Sequence, residues 1–505
     1  MICLSLTRDT VSDDLEDVRR NREWIDLVEL RVDRLSNPSA EAVARFPAEL
    51  ARAARGTGAG PECILTARRP ADGGSWDRSE AERLALLSRA VSEGGFRYVD
   101  LELDLSGSVE GRTLAESARR AGTRIIRSFH DLEGMPEDPA ALYRELSAGE
   151  GEIPKLAVTP RTSADLHVLI ELLIDSGPRE RIIIGMGPVG FPTRVAAPRL
   201  GGYLSYASAS LNPDVVAAPG HVTPRMLAET YRSREQSQDT RMFGVIGNPV
   251  LHSASPEYHN RHFREKNLDA VYVPFHVDDL RAFFDTAARL DVRGLSVTVP
   301  HKEAVISYLD ETDESVPAVG ACNTVLIRSG RRRGLNTDVP GFLLPLERAI
   351  GASGPEAFDG MRATIVGAGG AARAVVFALL RVGVRLCIVN RTPERAERMG
   401  AEIADAVGAA QPVVAELGPE AASLIEEHGS LIVQTTSVGM EPEVSADPLA
   451  FYEFRGHEIA YELIYAPEQT RFLARAAAAG CLTIPGSRMF EEQALAQAAH
   501  FEHII

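Results

Sequence analysis

The sequence predicts an α/β protein in which a (β/α)8 barrel precedes a second part that is also built from alternating strands and helices. The chain has 505 residues, about three times the length of a typical domain. Short apolar or alternating runs occur eight times before residue 210, and stretches with helical spacing, such as 80–90 and 164–175, lie between them. A second series begins near residue 242 and includes a glycine-rich turn at 366–374.

The eight strand candidates of the first half support a closed barrel. They are 2–6, 24–33, 62–68, 97–104, 124–130, 153–158, 181–187 and 203–208. Eight evenly spaced strands in roughly 210 residues approach the ~250 residues of a (β/α)8 barrel. An open doubly wound sheet is the structural alternative, which the number of strands does not exclude.

Composition excludes several classes of protein. The net charge is −17 and no basic run is present, so binding to nucleic acid or to an anionic membrane surface is not expected. The five cysteines are scattered without metal-ligand spacing, which favours reduced thiols and no metal site. The N-terminus lacks a secretory apolar region, and no apolar run approaches the ~18 residues of a membrane span. We therefore expect a soluble, cytoplasmic protein.

Charged residues of the first half lie in or directly after the strand candidates. Glu29 and Arg31 share one parity of the strand LVELRVD, where inward-facing charges are costly unless they bind each other or a ligand. Arg68, His130 and Arg194 follow or end three other strands. In a parallel barrel, residues at the carboxyl ends of strands form the active site.

Lys155 is the most informative of these residues. It lies within the apolar run IPKLAV, where loss of solvation lowers the pKa of an amine and favours the free base that attacks a ketone. The alternative is a strand-end lysine whose ammonium extends into water. His130, in RSFHDL, is either a proton carrier or an ordinary core histidine. Together the two residues fit imine chemistry, with Lys155 as the Schiff base.

The motifs ELRVD, LTARRPADGG, SFHDL, PKLAV and MGPVGFPTR, in this order, resemble the type I 3-dehydroquinate dehydratases over residues 1 to 230. The resemblance implies that Lys155 forms an imine with the C3 ketone of 3-dehydroquinate. It implies that His130 removes a C2 proton and assists loss of the C1 hydroxyl as water, and that Glu29 orients His130 or the substrate. The implied substrate-binding residues are Arg31, Arg68 and Arg194.

Three positions depart from that family's pattern. Asp72 stands where the family has Glu, His221 where it has Gln, and Gly202 where it has Ser. These changes concern contacts of the closing loop and leave the residues of the imine chemistry in place.

The second half contains four polar clusters at predicted turns. Ser253 and Ser255 lie in a proline-bounded turn, where Ser255 also fits the start of a helix. The other clusters are VTVPHK at 297–302, CNT at 322–324 and NTD at 336–338. A lone Asn-Thr pair is usually turn chemistry, but four clusters in one hundred residues favour a lining for a polyhydroxylated ligand.

The turn VGAGGAARA has the pattern of a dinucleotide-binding site. Gly367 and Gly369 lie between a strand and a helix candidate, which admits a pyrophosphate to the helix N-terminus. The next strand ends at Asn390, where an NAD site would have Asp or Glu for the ribose hydroxyl. Arg391, together with Arg395, instead favours the 2′-phosphate of NADP. An arginine that merely ends a strand in solvent is the alternative.

The motifs HSASP, VTVPHK, CNT, NTDVPGF, GAGGAARA, NRT, TTSVGM and IYAPEQT resemble shikimate dehydrogenase over residues 241–505. The resemblance implies NADPH-dependent reduction of 3-dehydroshikimate to shikimate, with Lys302 and Asp338 as the catalytic pair. The implied substrate-binding residues are Ser253, Ser255, Thr298, Asn323, Tyr465 and Gln493. The implied cofactor-binding residues are Gly367, Gly369, Gly370, Ala371, Asn390, Arg391, Thr392, Arg395, Gly439 and Met440. Ser296, Gln434 and Glu462 are mild departures from the pattern.

The two resemblances predict one bifunctional chain, because the product of the first reaction is the substrate of the second. The predicted parts are a barrel at 1–231, a linker at 232–240, an α/β substrate-binding domain at 241–357 with the C-terminal helix 485–505 packing back on it, and a Rossmann-type NADP domain at 358–484. The expected partners are small-molecule substrates, in a monomer or homodimer.

Two rivals remain open at this point. The second half could be a quinate/shikimate dehydrogenase. The chain could also be a non-catalytic metabolite sensor that retains both folds, although such a protein would be expected to have lost Lys155, His130, Lys302 or Asp338, and all four are present.

Overall fold

The structure is a computed structural model that describes residues 1–54, 60–177, 179–210 and 222–505. The chain divides into two compact units, Met1–Val292 and Arg293–Ile505, and each is described by itself. Within the described ranges, no helix has the length and apolar character needed to cross a membrane. The predicted boundaries between barrel, linker and domains remain predictions.

A nearly closed, all-parallel barrel of eight strands occupies most of the first unit, which confirms the predicted fold. The strands are β1 (Ile2–Leu6), β2 (Leu27–Arg31), β3 (Glu62–Thr66), β4 (Tyr98–Glu102), β5 (Arg124–Asp131), β6 (Ile153–Val158), β7 (Ile182–Gly185) and β8 (Ser205–Ser208). Their order is β7-β6-β5-β4-β3-β2-β1-β8, with parallel register throughout. Sequence neighbours are therefore neighbours in the sheet, as in a (β/α)8 barrel.

Helices follow the strands, and side-chain caps fix where several of them begin. Ser79 forms a capping box with Glu82, and Thr162 forms one with Asp165. The helices are α1 (Val11–Asn21), α2 (Ala40–Ala53), α3 (Glu80–Gly94), α4 (Val109–Ala121), α5 (Pro139–Leu146), α6 (Ser163–Asp175), α7 (Gly187–Gly190) and α8 (Pro192–Val195). A π-helix spans Met226–Thr230.

The barrel interior has an apolar layer with a polar layer two residues further along the strands. The apolar layer is a buried cluster that includes Leu27, Ile64, Tyr98, Ile126, Ile153 and Ile182. Because side chains alternate along a strand, the residues two positions later also point inward. Those residues are Glu29, Thr66, Asp100, Ser128 and Lys155, which are polar, and the apolar Ile184 of β7. The parity that fills the barrel thus also sets polar groups at the carboxyl ends of its strands.

The remainder of the first unit packs on the outside of the barrel. It contains β9 (Arg241–Gly247), α9 (Ser255–Glu265), β10 (Ala270–His276) and α10 (Leu280–Arg289), and β9 pairs in parallel with β10. Residues 232–240 form turns without helix or strand. Helix α10 packs along α6, and Asp278 accepts hydrogen bonds from both the backbone N–H and the hydroxyl of Ser163.

The second unit begins with a mixed sheet. Its elements are β11 (Val292–Val297), α11 (His301–Ala304), β12 (Glu311–Thr312), α12 (Ser315–Val319), β13 (Thr324–Arg328), β14 (Arg331–Leu335) and α13 (Asp338–Ile350). Strand β13 is antiparallel to both β11 and β14, whereas β12 is parallel to β14.

The rest of the second unit is a parallel Rossmann-type sheet, as predicted. Its elements are β15 (Arg362–Val366), α14 (Gly370–Arg381), β16 (Arg385–Asn390), α15 (Pro393–Val407), β17 (Val413–Glu416), α16 (Ala422–Glu427), β18 (Leu431–Gln434), β19 (Ile459–Glu462), α17 (Arg471–Ala478), β20 (Leu482–Ile484) and α18 (Gly486–Glu502). The order β17-β16-β15-β18-β19-β20 is the 3-2-1-4-5-6 order of dinucleotide-binding folds. The C-terminal helix α18 packs along α13.

Candidate active sites

A cavity at the carboxyl ends of the barrel strands brings together the six site residues predicted for the first half. Its lining includes Glu29, Arg31, Arg68, His130, Lys155 and Arg194. Asp72 also lines this cavity. Gly202 lies in the turn after α8, and His221 lies outside the described residues.

Lys155 is buried and bound to an acid that the sequence analysis did not select. Its Nζ donates to Asp100 Oδ2 at 2.7 Å and lies 4.5 Å from the centre of the Tyr206 ring. Burial lowers the pKa of Lys155, and the nearby charge of Asp100 opposes that shift only in part. The amine is therefore easier to deprotonate than an exposed lysine.

Asp100 connects three of the polar side chains. Its Oδ2 also accepts from Arg68 Nη2 at 3.1 Å, and its Oδ1 accepts from Ser128 Oγ at 2.5 Å. Burial alone would raise the pKa of Asp100, but the charges of Lys155 and Arg68 hold it well below its ordinary value. Asp100 is therefore a permanent carboxylate beside the amine.

The environment of His130 favours the neutral form of its imidazole. Burial and the adjacent charges of Arg68 and Lys155 hold its pKa well below the ordinary value. Arg68 Nη1 contacts His130 Nε2, whereas Nδ1 has no hydrogen-bond partner within the part of the chain that the structure describes. Because Arg68 can only donate, Nε2 is the unprotonated nitrogen of the neutral ring and Nδ1 carries the hydrogen. Nε2 can therefore take up a proton when the Arg68 guanidinium moves away from it.

The Glu29 carboxylate is held by hydroxyls. Ser5 Oγ donates to Oε2 and Thr66 Oγ donates to Oε1, each at 3.0 Å. Its Oε1 lies 3.7 Å from Arg68 and 3.9 Å from Lys155. These contacts place Glu29 beside the amine and do not include His130.

Two arginines of the cavity differ in their electrostatic environment. Arg31 forms a bidentate pair with Asp33 at 2.9 and 2.7 Å. Arg194 is 2% exposed, and burial lowers its pKa to about 10. Its Nε has no partner among the described residues. The described residues place no carboxylate in an ion pair with Arg194, and a buried guanidinium without such a partner is costly. An anion bound in the cavity would lower that cost.

Asp100 was not predicted from the sequence, which carries only a partial signal for it. Asp100 lies in RYVDLELD with the same alternation that singled out Glu29 and Arg31. Tyr206, whose ring lies next to Lys155, was also missed. An aromatic residue in a buried strand gives no sign from sequence that it faces a site.

In the second unit, the predicted pair of Lys302 and Asp338 is formed. Lys302 Nζ donates to Asp338 Oδ2 at 2.5 Å, and the two side chains are 14% and 6% exposed. Asn323 Nδ2 donates to the other carboxylate oxygen at 2.8 Å. Asp338 is thus fixed from two sides, while Lys302 remains partly accessible to a ligand.

The polar turns predicted from the sequence position this pair. Asn336 Oδ1 accepts from the backbone N–H of Asp338 at 3.0 Å, and Asn323 Oδ1 accepts from that of Thr337 at 2.8 Å. These bonds satisfy N–H groups at the start of α13. The two Asn-Thr segments therefore close backbone turns and also hold Asp338 in place.

The other predicted substrate residues are distributed as follows. Thr298 lies one turn before Lys302, and its carbonyl accepts from the backbone of His301 at 2.9 Å. Tyr465 stacks at a tilt on Phe490, with ring centres 5.0 Å apart. Gln493 packs against Gly341 of α13, where a Cβ would lie 2.7 Å from that of Gln493. Ser253 and Ser255 belong to the first unit, where Ser253 Oγ accepts from the backbone N–H of Ser255 at 3.2 Å.

Gln497, one helical turn beyond Gln493, also supports the site and was not predicted from the sequence. Its Nε2 donates to Thr324 Oγ at 2.9 Å and to the Asn323 carbonyl at 3.1 Å, while its Oε1 accepts from Ser296 at 2.8 Å. Gln497 therefore links α18 to β11 and to the start of β13, directly after Asn323.

The glycine turn after β15 fits a dinucleotide. Gly367 has φ +110°, and a Cβ there would lie 2.7 Å from Thr435 Oγ. A Cβ at Gly369 would meet nothing within 4 Å, and no side chain caps the helix that begins at Gly370. The N–H groups of that helix end are thus open to a pyrophosphate. The Lys302 side chain lies 3.4 Å from the Cβ position of Gly370, which brings the turn and the Lys–Asp pair together.

The remaining predicted cofactor residues lie at the carboxyl ends of β16 and β18. Asn390 Nδ2 donates to the Thr392 carbonyl at 2.9 Å, and Arg391 is exposed beside it. Arg395 is 61% exposed. Gly439 has φ +101°, and Met440 next to it is 46% exposed. Ala371 lies in the first turn of α14.

The described residues contain no group of three or more His, Cys, Asp or Glu side chains placed to hold a metal ion.

The fold and the two clusters define a two-enzyme chain, in which a barrel with a buried amine precedes a dinucleotide-binding α/β enzyme. Three family models match it. They are type I 3-dehydroquinase over residues 2–238, the shikimate dehydrogenase substrate binding domain over 245–325, and shikimate/quinate 5-dehydrogenase over 351–437.

Two relatives found by sequence agree with this division. A chloroplastic bifunctional 3-dehydroquinate dehydratase/shikimate dehydrogenase of Arabidopsis thaliana is 31% identical, covering 86% of this chain and 72% of that protein. A shikimate dehydrogenase (NADP(+)) of Moorella thermoacetica is 43% identical, covering 51% of this chain and 86% of that protein. A solved dehydroquinate dehydratase and shikimate dehydrogenase from S. pombe is 25% identical, covers 99% of this chain and 95% of that chain, and has a TM-score of 0.41.

The chain belongs to the family of bifunctional 3-dehydroquinate dehydratase/shikimate dehydrogenases, which joins a lyase and an oxidoreductase in one polypeptide. Both resemblances seen in the sequence are thereby confirmed.

Proposed function

We propose that the chain converts 3-dehydroquinate to 3-dehydroshikimate through a Schiff base on Lys155, and then reduces 3-dehydroshikimate to shikimate with NADPH. The observation that supports the first step best is the Lys155 amine, which is buried against Asp100 in a cavity also lined by Arg194, whose Nε has no hydrogen-bond partner among the described residues. These are the groups that imine formation with an anionic ketone requires.

The barrel residues divide the dehydration between them. The free amine of Lys155 attacks the C3 carbonyl carbon, and loss of that oxygen as water gives the imine. His130, held neutral, takes the C2 proton, and the electron pair is delocalised into the iminium. The C1 hydroxyl then leaves as water with a proton returned by His130. Hydrolysis of the imine restores Lys155, so the net change is loss of one water.

Arg194 is proposed to bind the substrate carboxylate, and Arg194→Met should separate binding from stability. Losing a charge-assisted hydrogen bond should raise the KM for 3-dehydroquinate about 10- to 100-fold. Because burial lowers the pKa of Arg194, the charged group destabilises the substrate-free fold at neutral pH, and its removal should raise the Tm. Steady-state kinetics and thermal unfolding measure the two effects. A lower Tm with unchanged KM would contradict this role.

The residues around Lys302 are proposed to perform the second reaction. Bound NADPH would supply the hydride. The Gly367–Gly370 turn would bind the pyrophosphate, and Gly439 and Met440 would lie against the nicotinamide. Lys302, held by Asp338, would donate the proton that the reduced carbonyl oxygen requires and stabilise the developing negative charge. Asn323 would keep the Asp338 carboxylate oriented toward Lys302.

Arg391 is proposed to select NADP. Replacing Arg391 with Asp should weaken NADPH binding at least 10-fold, because a 2′-phosphate loses its guanidinium and meets a like charge. The same change should improve use of NADH, whose 2′-hydroxyl can donate to the new carboxylate. Initial rates with both cofactors measure the ratio. Arg398 is exposed on α15, the helix that begins two residues after Arg391. Arg398→Asp is the control for a nonspecific loss of positive charge. An equal effect of both changes on the NADPH to NADH ratio would contradict selection by Arg391.

A coupled assay tests the whole proposal. The chain supplied with 3-dehydroquinate and NADPH should oxidise NADPH and form shikimate without another enzyme. Failure to oxidise NADPH from 3-dehydroquinate, while 3-dehydroshikimate is reduced, would remove the dehydratase from the proposal.

A further inference from the structure

Two buried polar side chains occupy matched positions at the ends of neighbouring strands in the Rossmann-type sheet. Gln434 ends β18 and Glu462 ends β19, and the two residues are register partners in the parallel pair. Both are 0% exposed. Buried polar side chains are normally hydrogen-bonded to neighbouring groups and hold those groups in place. We therefore identified the groups that Gln434 and Glu462 bind.

Gln434 closes the loop that follows its strand. Its Oε1 accepts from the backbone N–H of Thr436 at 2.6 Å, and its Nε2 donates to the carbonyls of Thr436 at 3.2 Å and Val438 at 3.0 Å. The next residue is Gly439, which has positive φ. The amide therefore fixes the backbone immediately before the residues proposed to face the nicotinamide.

Glu462 performs the same task on the adjacent loop. Its Oε1 accepts from the N–H groups of Leu463 at 2.8 Å and Ile464 at 3.0 Å, and its Oε2 accepts from Thr470 Oγ at 2.8 Å. Thr470 in turn caps α17. Its Cβ lies 3.7 Å from the Cβ position of Gly439. The loop held by Glu462 thus packs directly on the loop held by Gln434.

We propose that Gln434 and Glu462 are positioning residues that together set the shape of the pocket for the nicotinamide end of the cofactor. Both act on Gly439 through one intermediate residue. Gln434 binds the carbonyl of Val438, which precedes Gly439, and Glu462 binds Thr470, which packs against Gly439. This inference rests on the proposed NADPH-dependent function.

The charge of Glu462 makes the arrangement sensitive to pH. Burial raises its pKa to about 7, and the negative charge of Asp447 adds to the shift, while Asp447 itself pairs with Arg475 at 2.5 Å. The ionised carboxylate accepts all three hydrogen bonds. Protonation converts one oxygen into a donor, so that Thr470 must accept rather than donate. NADPH affinity should therefore fall as the pH drops through about 7.

The test measures NADPH dissociation constants by fluorescence at pH 6 and pH 8. Glu462→Gln places a permanent donor opposite Thr470, so at pH 8 it should bind NADPH about three- to tenfold more weakly than the unaltered chain. Its affinity should change less between the two pH values than that of the unaltered chain, because the remaining change comes from protonation of the 2′-phosphate of NADPH. Gln434→Asn, whose amide is too short to reach both Thr436 and Val438, should also weaken binding but keep the pH dependence.

Glu458 supplies a matched control at the opposite end of β19. It is a buried carboxylate that accepts from the backbone N–H groups of Arg455, Gly456 and His457 and from the Tyr452 hydroxyl. Glu458→Gln should lower the Tm and leave NADPH affinity unchanged. Thr470→Val and Tyr452→Phe, each of which removes one hydroxyl donor from its carboxylate, give a second comparison. Thr470→Val also removes the cap of α17, so its Tm is measured together with its NADPH affinity.

Equal NADPH affinity in the Glu462 and Glu458 variants, or an unaltered pH dependence in Glu462→Gln, would overturn the positioning role. Failure of the unaltered chain to bind NADPH would instead overturn the proposed function itself, so the two failures are distinguishable.

Discussion

Replacing Lys155 with alanine is expected to abolish dehydration of 3-dehydroquinate, with kcat lower by about four orders of magnitude or more. Without the amine there is no imine to accept the electron pair released at C2, and the remaining groups bind substrate without activating it. Borohydride added with substrate should reduce the imine and attach the substrate to Lys155. The chain has only three lysines, Lys155, Lys266 and Lys302, so peptide mapping identifies the modified residue without ambiguity.

The second activity of the same chain is the control for this prediction. Lys155→Ala should reduce 3-dehydroshikimate at the unaltered rate, which shows that the protein is folded and active elsewhere. Lys266 is exposed and should remain unmodified by borohydride. Dehydration that survives in Lys155→Ala, or a substrate adduct on another lysine, would contradict the Schiff-base proposal.

Replacing Lys302 with alanine, or Asp338 with asparagine, is expected to lower kcat for reduction of 3-dehydroshikimate by about 10²- to 10⁴-fold. A positioned general acid contributes a factor of that size. Asparagine preserves the shape of Asp338 and can still accept from Asn323, but it no longer holds the ammonium of Lys302 by charge. NADPH fluorescence titration should give an unchanged dissociation constant in the Asp338 variant, because the loss lies in the chemical step.

A purely structural ion pair would behave differently. It would lower the Tm without a selective loss of kcat. Arg331 and Glu311 form an exposed pair in the same unit with the same 2.5 Å separation, so Arg331→Ala shows what breaking an ion pair does without touching the site. It should leave both activities intact. Dehydratase activity in all three variants confirms folding of the first unit.

The sequence was sufficient for the fold because each unit repeats a simple pattern. Eight apolar runs at regular spacing predicted the barrel strands, and β6 begins and ends where its pattern does. Strand parity alone also selected Glu29 and Arg31, because Glu29, Arg31 and Asp33 place three charges on one face of an otherwise apolar strand. Those inferences depend on local alternation, which a single sequence contains.

Asp100 was missed because its burial depends on distant strands. Acids at 100, 102 and 104 of one parity resemble a solvated edge, but Asp100 is enclosed by Lys155 and Arg68, whereas Glu102 pairs with Arg83 of α3. The sequence of β4 does not show which of the two acids faces the cavity, because the residues that bind them lie on other elements.

Helix α18 shows the same limit in another form. Gln493 and Gln497 are one turn apart and lie on the same side of the helix. Only the packing of α18 on α13 decides that Gln497 bonds to Thr324 while Gln493 packs beside Gly341. The family resemblance named Gln493, and the contact with the Asn323 segment was visible only in three dimensions.

The apolar layer that fills the barrel beneath Lys155 closes the cavity at one end. Tyr98 and Ile126 are at most 1% exposed, and a filled barrel offers no exit through its base. One opening, at the carboxyl ends of the strands, therefore serves the entering ketone, the released water and the product. The product must therefore leave through the same opening by which the next substrate enters.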